Sequence, residues 1–144
     1  MSFNQYPHVF QPLKAGNVRL KNRIQFSPMV CCLTSATGEV TAEYVEFIGF
    51  QARTGAALVT IGATPVDDET GSDFYGELAI TRDENIAGMA RLAEEVHRYG
   101  AKLSIELVHA GRGAAPYLLK TPYALAPTPF PVPGGTKYIK EMEQ

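Results

Sequence analysis

Two adjacent thiols, three imidazoles and a guanidinium close to one of them are the side chains here with the most chemistry in them. Cys31 and Cys32 are neighbours, and a disulfide between adjacent residues demands a strained ring. They are expected as free thiols serving as small apolar fillers. His8, His97 and His109 show none of the ligand spacings of zinc modules, so no metal site is expected. His109 and Arg112 belong to the run "HAGR", directly after an apolar stretch. Together they could orient a substrate, or His109 could bond its own loop and Arg112 pair with a carboxylate. Earlier, "RIQFSPM" breaks at Pro28. Proline ends a sheet ladder and gives the backbone a fixed direction, which leaves the following amides to a ligand.

These residues need elements to hold them. Residues 23–29, 57–63 and 102–108 are short and apolar-rich, as strands are. Between them lie two stretches of helical period. In 41–54, Val45, Ile48 and Ala52 share a face, with Thr41 as N-cap and Gly55 as the stop. In the second, Thr81 and Glu84 form a T-x-x-E capping box, Ile86, Met89, Ala90, Ala93 and Val96 form one stripe, and Gly100 ends the helix. Before the first strand, Ala15-Gly16-Asn17 separates two apolar runs and reads as a hairpin turn. Residues 114–135, rich in Pro, Gly, Thr and aromatics, read as one long loop, and "KYIKEMEQ" as the opening of a further helix.

The order β-α-β-α-β implies parallel strands with helices on at least one face. In the third strand Leu103, Ile105 and Leu107 alternate with Ser104, Glu106 and Val108, and alternate residues face opposite ways. With the apolar set under the helices, Ser104 and Glu106 face away, together with Gln25, Ser27, Thr60 and Gly62. A doubly wound sheet favours apolar runs on both faces. Small and polar residues on one face favour instead a (β/α)8 barrel interior that opens toward a ligand at its C-terminal mouth. Such a barrel takes about 250 residues, so these 144 are expected to be the N-terminal fragment, residues 1–144, of one α/β barrel domain, holding about three β/α units and a hairpin.

With 45% hydrophobic residues, 13 basic and 15 acidic side chains and no like-charge block, the chain has no footprint for nucleic acid or an acidic membrane. A small-molecule substrate remains. No signal peptide or bilayer-length apolar run is evident, which makes a cytoplasmic protein the expectation.

The segments "PLKAGNVRLKNRIQFSPM", "GAALVTIGA" and "KLSIELVHAGR", in this order and spacing, resemble the N-terminal part of the Old Yellow Enzyme family, the FMN-dependent NADH:flavin oxidoreductases. That family includes ene-reductases and 2,4-dienoyl-CoA reductases. The resemblance implies a TIM barrel that holds FMN, takes hydride from NADH or NADPH and passes it to an activated C=C bond. It places the flavin against Ser27, Pro28, Met29 and Val30, against Gly62 and Ala63, and against Glu106. Two positions depart from the family. Relatives commonly carry glutamine at Glu106, where an ionised glutamate can only accept hydrogen bonds, and Glu106 could instead be held by an interior Arg or Lys. Many carry Cys or Thr at Val30, which cannot bond the ring.

The resemblance also makes Cys32, His109 and Arg112 candidates for substrate contact, Cys32 standing where some ene-reductases place a tyrosine. The residues that grip substrate and phosphate in that family lie further along, as do the 4Fe–4S cysteines and FAD domain of longer relatives; none is expected in this segment. Alone, the chain is expected to be inactive and to self-associate or to require the rest of the barrel. The alternative is a non-catalytic half-barrel that binds a flavin or serves a structural role.

Overall fold

The computed structural model describes residues 5–129 and 138–143. Its first element is an antiparallel hairpin of β1 (Leu13–Ala15) and β2 (Val18–Leu20), with Ala15 opposite Val18. Gly16 supplies the positive φ, 57°, that the two-residue turn needs. Three parallel strands follow in the order β3 (Gln25–Phe26), β4 (Leu58–Pro65) and β5 (Lys102–Val108). The first is shorter than the expected 23–29. Only Gln25 and Phe26 pair with β4, because Pro28 has no N–H to give and the chain then crosses over β4.

Helix α1 (Ala42–Arg53) starts where expected: Thr41 is the N-cap, and its hydroxyl accepts the Tyr44 N–H at 3.1 Å. It buries Tyr44, Ile48, Gly49 and Ala52. The second helix departs from expectation at its start. No Thr81–Glu84 capping box forms; a 3-10 turn, Asp83–Asn85, leads into α2 (Ile86–Arg98), and the Thr81 hydroxyl is buried with no hydrogen-bond partner among the described residues. Tertiary contacts set this start instead. Ala79 N–H donates to Gly38 O at 3.0 Å, Arg82 donates to Thr37 O at 2.5 Å, and buried Asn85 donates to Ala79 O at 2.8 Å. The stripe rotates accordingly. Gly88, Leu92 and Val96 are buried, with Met89 packed against the core, whereas Ile86 is 63% exposed. Gly88 lies against the Val40 side chain and Gly49 of α1 against Glu95, so glycines bring the helices close.

Both helices cover one face of the sheet. Val59 and Ile61 of β4 are fully buried there beside Ile48, Ala52, Leu92 and Val96, with Phe26, Leu103 and Ile105 packed against them. Leu107, expected on this face, is 61% exposed, since β5 runs past the cover of the helices and the apolar cluster stops at Ile105. The other face is polar, as expected from the alternation. Gln25 Nε2 donates to Thr60 Oγ1 at 2.8 Å, and Thr60 Oγ1 lies 2.7 Å from Ser104 Oγ, so one row of hydrogen bonds crosses all three strands.

Two expectations about the C-terminal region are overturned. Within the expected loop of 114–135 lies a strand, β6 (Tyr123–Ala126), and the expected helix opening is a second strand, β7 (Tyr138–Glu141), parallel to it. Tyr and Ile suit a pleated surface. Ile139 is buried, only 3% exposed, and the Lys140 ammonium sits 5.5 Å from the centre of the Tyr123 ring. No helix among the described residues is long and apolar enough to cross a membrane.

Candidate cofactor site

The C-terminal ends of the three parallel strands carry the expected cofactor residues. After β3, Ser27, Pro28 and Met29 are exposed and Val30 is half-buried. The Met29 and Val30 N–H groups donate to nothing among the described residues, in keeping with the break at Pro28. This segment lies directly on Gly62. A β-carbon there would fall 2.2 Å from the Met29 nitrogen and 2.5 Å from its carbonyl carbon. Gly62 therefore seats the backbone of its neighbour.

Next to Gly62 the β4–β5 register shifts between Ile61 and Thr64, so Gly62 and Ala63 together stand opposite Glu106. Ala63 has φ 21°, and its N–H donates to Glu106 Oε2 at 3.2 Å. The exposed glutamate thus holds the bulge with one carboxylate oxygen and keeps the other for solvent or a ligand. Cys31 and Cys32 are free thiols, half-buried and exposed respectively, and Cys32 is held at φ 52°. Cys31 Sγ donates to Met29 O at 3.3 Å. Burial, and then the neighbouring Cys32, push its thiol above the ordinary range, which leaves it neutral and weakly nucleophilic.

His109 is engaged on both sides. Its Nδ1 accepts the Gly111 N–H at 3.1 Å, so Nε2 carries the ring proton and donates to Thr70 Oγ1 at 3.1 Å. The Thr70 hydroxyl in turn donates to Asp67 Oδ2. Burial raises Asp67, but the Thr70 hydroxyl, the Glu69 and Thr70 amides and His109 outweigh it and hold the carboxyl below its ordinary range. His109 thereby ties the loop after β4 to the loop after β5. Arg112, on a 3-10 turn (Gly111–Gly113), is exposed and makes no hydrogen bond or ion pair with the described residues.

Sequence reasoning missed Asp67 and Thr70. It also missed a cavity of about 350 Å³ between the loops before α1 and before α2, with Asp68, Glu77, Arg82 and Lys120 in its wall. The run "PVDDETGSDFYGE" (65–77) carried a signal, being dense in carboxylates and turn residues directly after a strand.

Among solved structures, the Old Yellow Enzyme from Pichia sp. AKU4542 superposes with a TM-score of 0.84 at 25% identity, over 94% of this chain and 38% of that one. The fold is therefore part of that TIM barrel, seen as an open sector. The NADH oxidase of Thermoanaerobacter brockii is 32% identical over 126 residues, or 88% of this chain and 19% of its own length. The NADH:fumarate oxidoreductase of Klebsiella pneumoniae is 34% identical over 126 residues, or 87% of this chain and 13% of its own length. The chain thus spans less than a fifth of either relative. The signature of the NADH:flavin oxidoreductase / NADH oxidase family runs through residues 8–143, and the chain belongs to that family of oxidoreductases.

Proposed function

We propose that this chain forms the hairpin, the first three parallel strands and the two helices between them of a single FMN-binding barrel domain, in an enzyme that moves hydride from NADH or NADPH through the flavin to an activated C=C bond. One observation carries the reading: Ser27–Val30, Gly62–Ala63 and Glu106 come from three successive strand ends, and the backbone between Pro28 and Cys31 keeps its donors free there. The mouth at the strand C-termini is where barrels of this class hold ligands. An electron acceptor with a C=C bond is supported by a relative named for fumarate.

The residues fit a flat ring. Exposed Met29 and half-buried Val30 offer apolar cover, the free amides of the same segment offer donors, and Glu106 offers an acceptor for a ring N–H. Bound FMN would supply the hydride chemistry. This chain's part is to place the ring, hold the Gly62–Ala63 bulge through Glu106, and fix the mouth loops through His109, with Cys32 and Arg112 exposed toward solvent for a substrate. The cation that neutralises a flavin phosphate is assigned to barrel units outside this chain, as is any iron–sulfur cluster or FAD. Completion of the barrel, by further units or by a second copy, follows from the open outer sides of β3 and β5 among the described residues.

The test compares flavin content. The assembly that contains the completed barrel should purify with stoichiometric FMN that NADH or NADPH bleaches. The 144-residue chain alone, mixed with FMN, should retain none after desalting, because charge-assisted phosphate contacts supply much of the hold. Stoichiometric FMN on the isolated chain would overturn the division of labour, and a colourless complete assembly would overturn the flavin reading itself.

A further inference from the structure

Asp73 and Glu77 stand four residues apart on the loop between β4 and α2. Glu77 is 8% exposed. Its Oε2 accepts the Asp73 backbone N–H at 3.3 Å, and its backbone carbonyl accepts the Thr34 hydroxyl at 2.9 Å. The second oxygen of each carboxyl is another matter. Glu77 Oε1 and Asp73 Oδ1 are both shut off from solvent with no donor among the described residues, and the two side chains are within hydrogen-bonding reach of each other. Ionised carboxylates offer acceptors only, and two such charges side by side in a site with little water cannot both persist. A single proton between the two oxygens satisfies both.

We propose that Asp73 and Glu77 share one proton and act as a pH-operated latch that closes the β4–α2 loop on itself. The surroundings favour a shared proton over a cation. The loop before α1 meets Glu77 at its backbone carbonyl, through the Thr34 hydroxyl and the close-packed Gly38, neither charged, while Glu39 of that loop is exposed. Across the cavity, Lys120 and Arg82 both approach Asp68 Oδ2, at 2.7 and 3.9 Å, and Arg82 also holds Thr37 O. Tyr75 is 62% exposed. Burial, and then the bond to Asp73, push Glu77 up to about 7 from the ordinary 4.5. The closed loop therefore binds the proton more tightly than the open one. Its stabilisation is complete below the ordinary glutamate range and is lost as pH rises to about 7.

The latch needs no flavin, so the 144-residue chain serves for the test. In side-chain carboxyl NMR, Glu77 should titrate near neutrality, apart from the exposed glutamates. Amide exchange over residues 73–79, corrected for the chemical rate, should report loop opening that grows by up to about tenfold per pH unit between the ordinary glutamate range and neutrality. Glu77→Gln donates to Asp73 without titrating, and its loop opening should be flat over that interval. A Glu77 carboxyl that titrates with the exposed glutamates, or an unchanged pH dependence in Glu77→Gln, would overturn the latch. Should that variant fail to fold, the wild-type carboxyl titration decides alone.

Discussion

Replacing Gly62 by alanine tests the seat beneath the strand ends most directly. The added carbon would meet the Met29 backbone at 2.2, 2.5 and 2.7 Å, and a backbone held by Pro28 on one side and the Cys31–Met29 contact on the other has little room to yield. Overpacking a filled site costs about 1–3 kcal/mol, and an obstacle made of main chain puts this case near ~3 kcal/mol. Gly16→Ala provides the control. It lies at φ 57° with nothing within 4 Å, so it carries only the left-handed penalty of about 1–2 kcal/mol. Both substitutions restrict the unfolded chain equally, so Gly62→Ala should cost about 1–2 kcal/mol more than Gly16→Ala. Urea unfolding followed by far-UV circular dichroism measures it, and in a thermal melt it amounts to roughly 4 °C per kcal/mol for a chain of this size. Faster alkylation of Cys31 in Gly62→Ala would show that the segment had lifted. Equal stability of the two variants, with Cys31 equally protected, would refute the claim that Met29 rests on Gly62.

Thr60→Val keeps the shape of β4 but leaves the Gln25 amide and the Ser104 hydroxyl without their shared partner, and should cost about 1–3 kcal/mol by chemical unfolding, more than Ser104→Ala at the end of the row. Glu106→Gln retains an oxygen for the Ala63 N–H and removes a negative charge. In the flavin-loaded assembly it should raise the flavin reduction potential, and an equal or lower value in a dye-linked redox titration would place Glu106 away from the ring. Met29, Val66 and Leu107 are 47%, 48% and 61% exposed, and β3 and β5 each have an open side among the described residues. The isolated chain should self-associate, so light scattering over a dilution series showing a monomer throughout would argue for a self-sufficient domain.

What the sequence made legible was mostly local. β5 is bounded by the residues expected of it, the turn at Gly16 has the conformation its glycine allows, and Thr41 caps α1 through the N–H three residues on. In each case short-range chemistry and the tertiary contacts agree. The start of α2 shows the reverse. Thr81 and Glu84 make a valid capping box in isolation, but the chain from Glu77 to Arg82 is pinned to Thr34, Thr37 and Gly38, and the helix begins where that tether releases it. β7 failed for a related reason. Its helix-like charges say nothing of β6, the partner that makes it a strand. At the mouth, Pro28 marked where the pairing of β3 with β4 stops. The Gly62–Met29 contact and the Asp73–Glu77 pair stayed invisible because each depends on how backbone and loops close over one another.

The hydrogen-bond row on the polar face joins all three strands. Gln25 donates to Thr60, and the Thr60 and Ser104 hydroxyls share one further bond that either can donate. Read from β3 to β5, the row finishes on a hydroxyl. Sliding either outer strand by one residue would bring an apolar side chain into the line and leave hydroxyls stranded, so the row also fixes the alignment of three strands that share no short turn. Whatever strand settles beside β5 is therefore met by a hydroxyl as well as an edge: it fits when it offers a polar group at the level of Ser104, and a bare methyl there leaves that hydroxyl without a further partner.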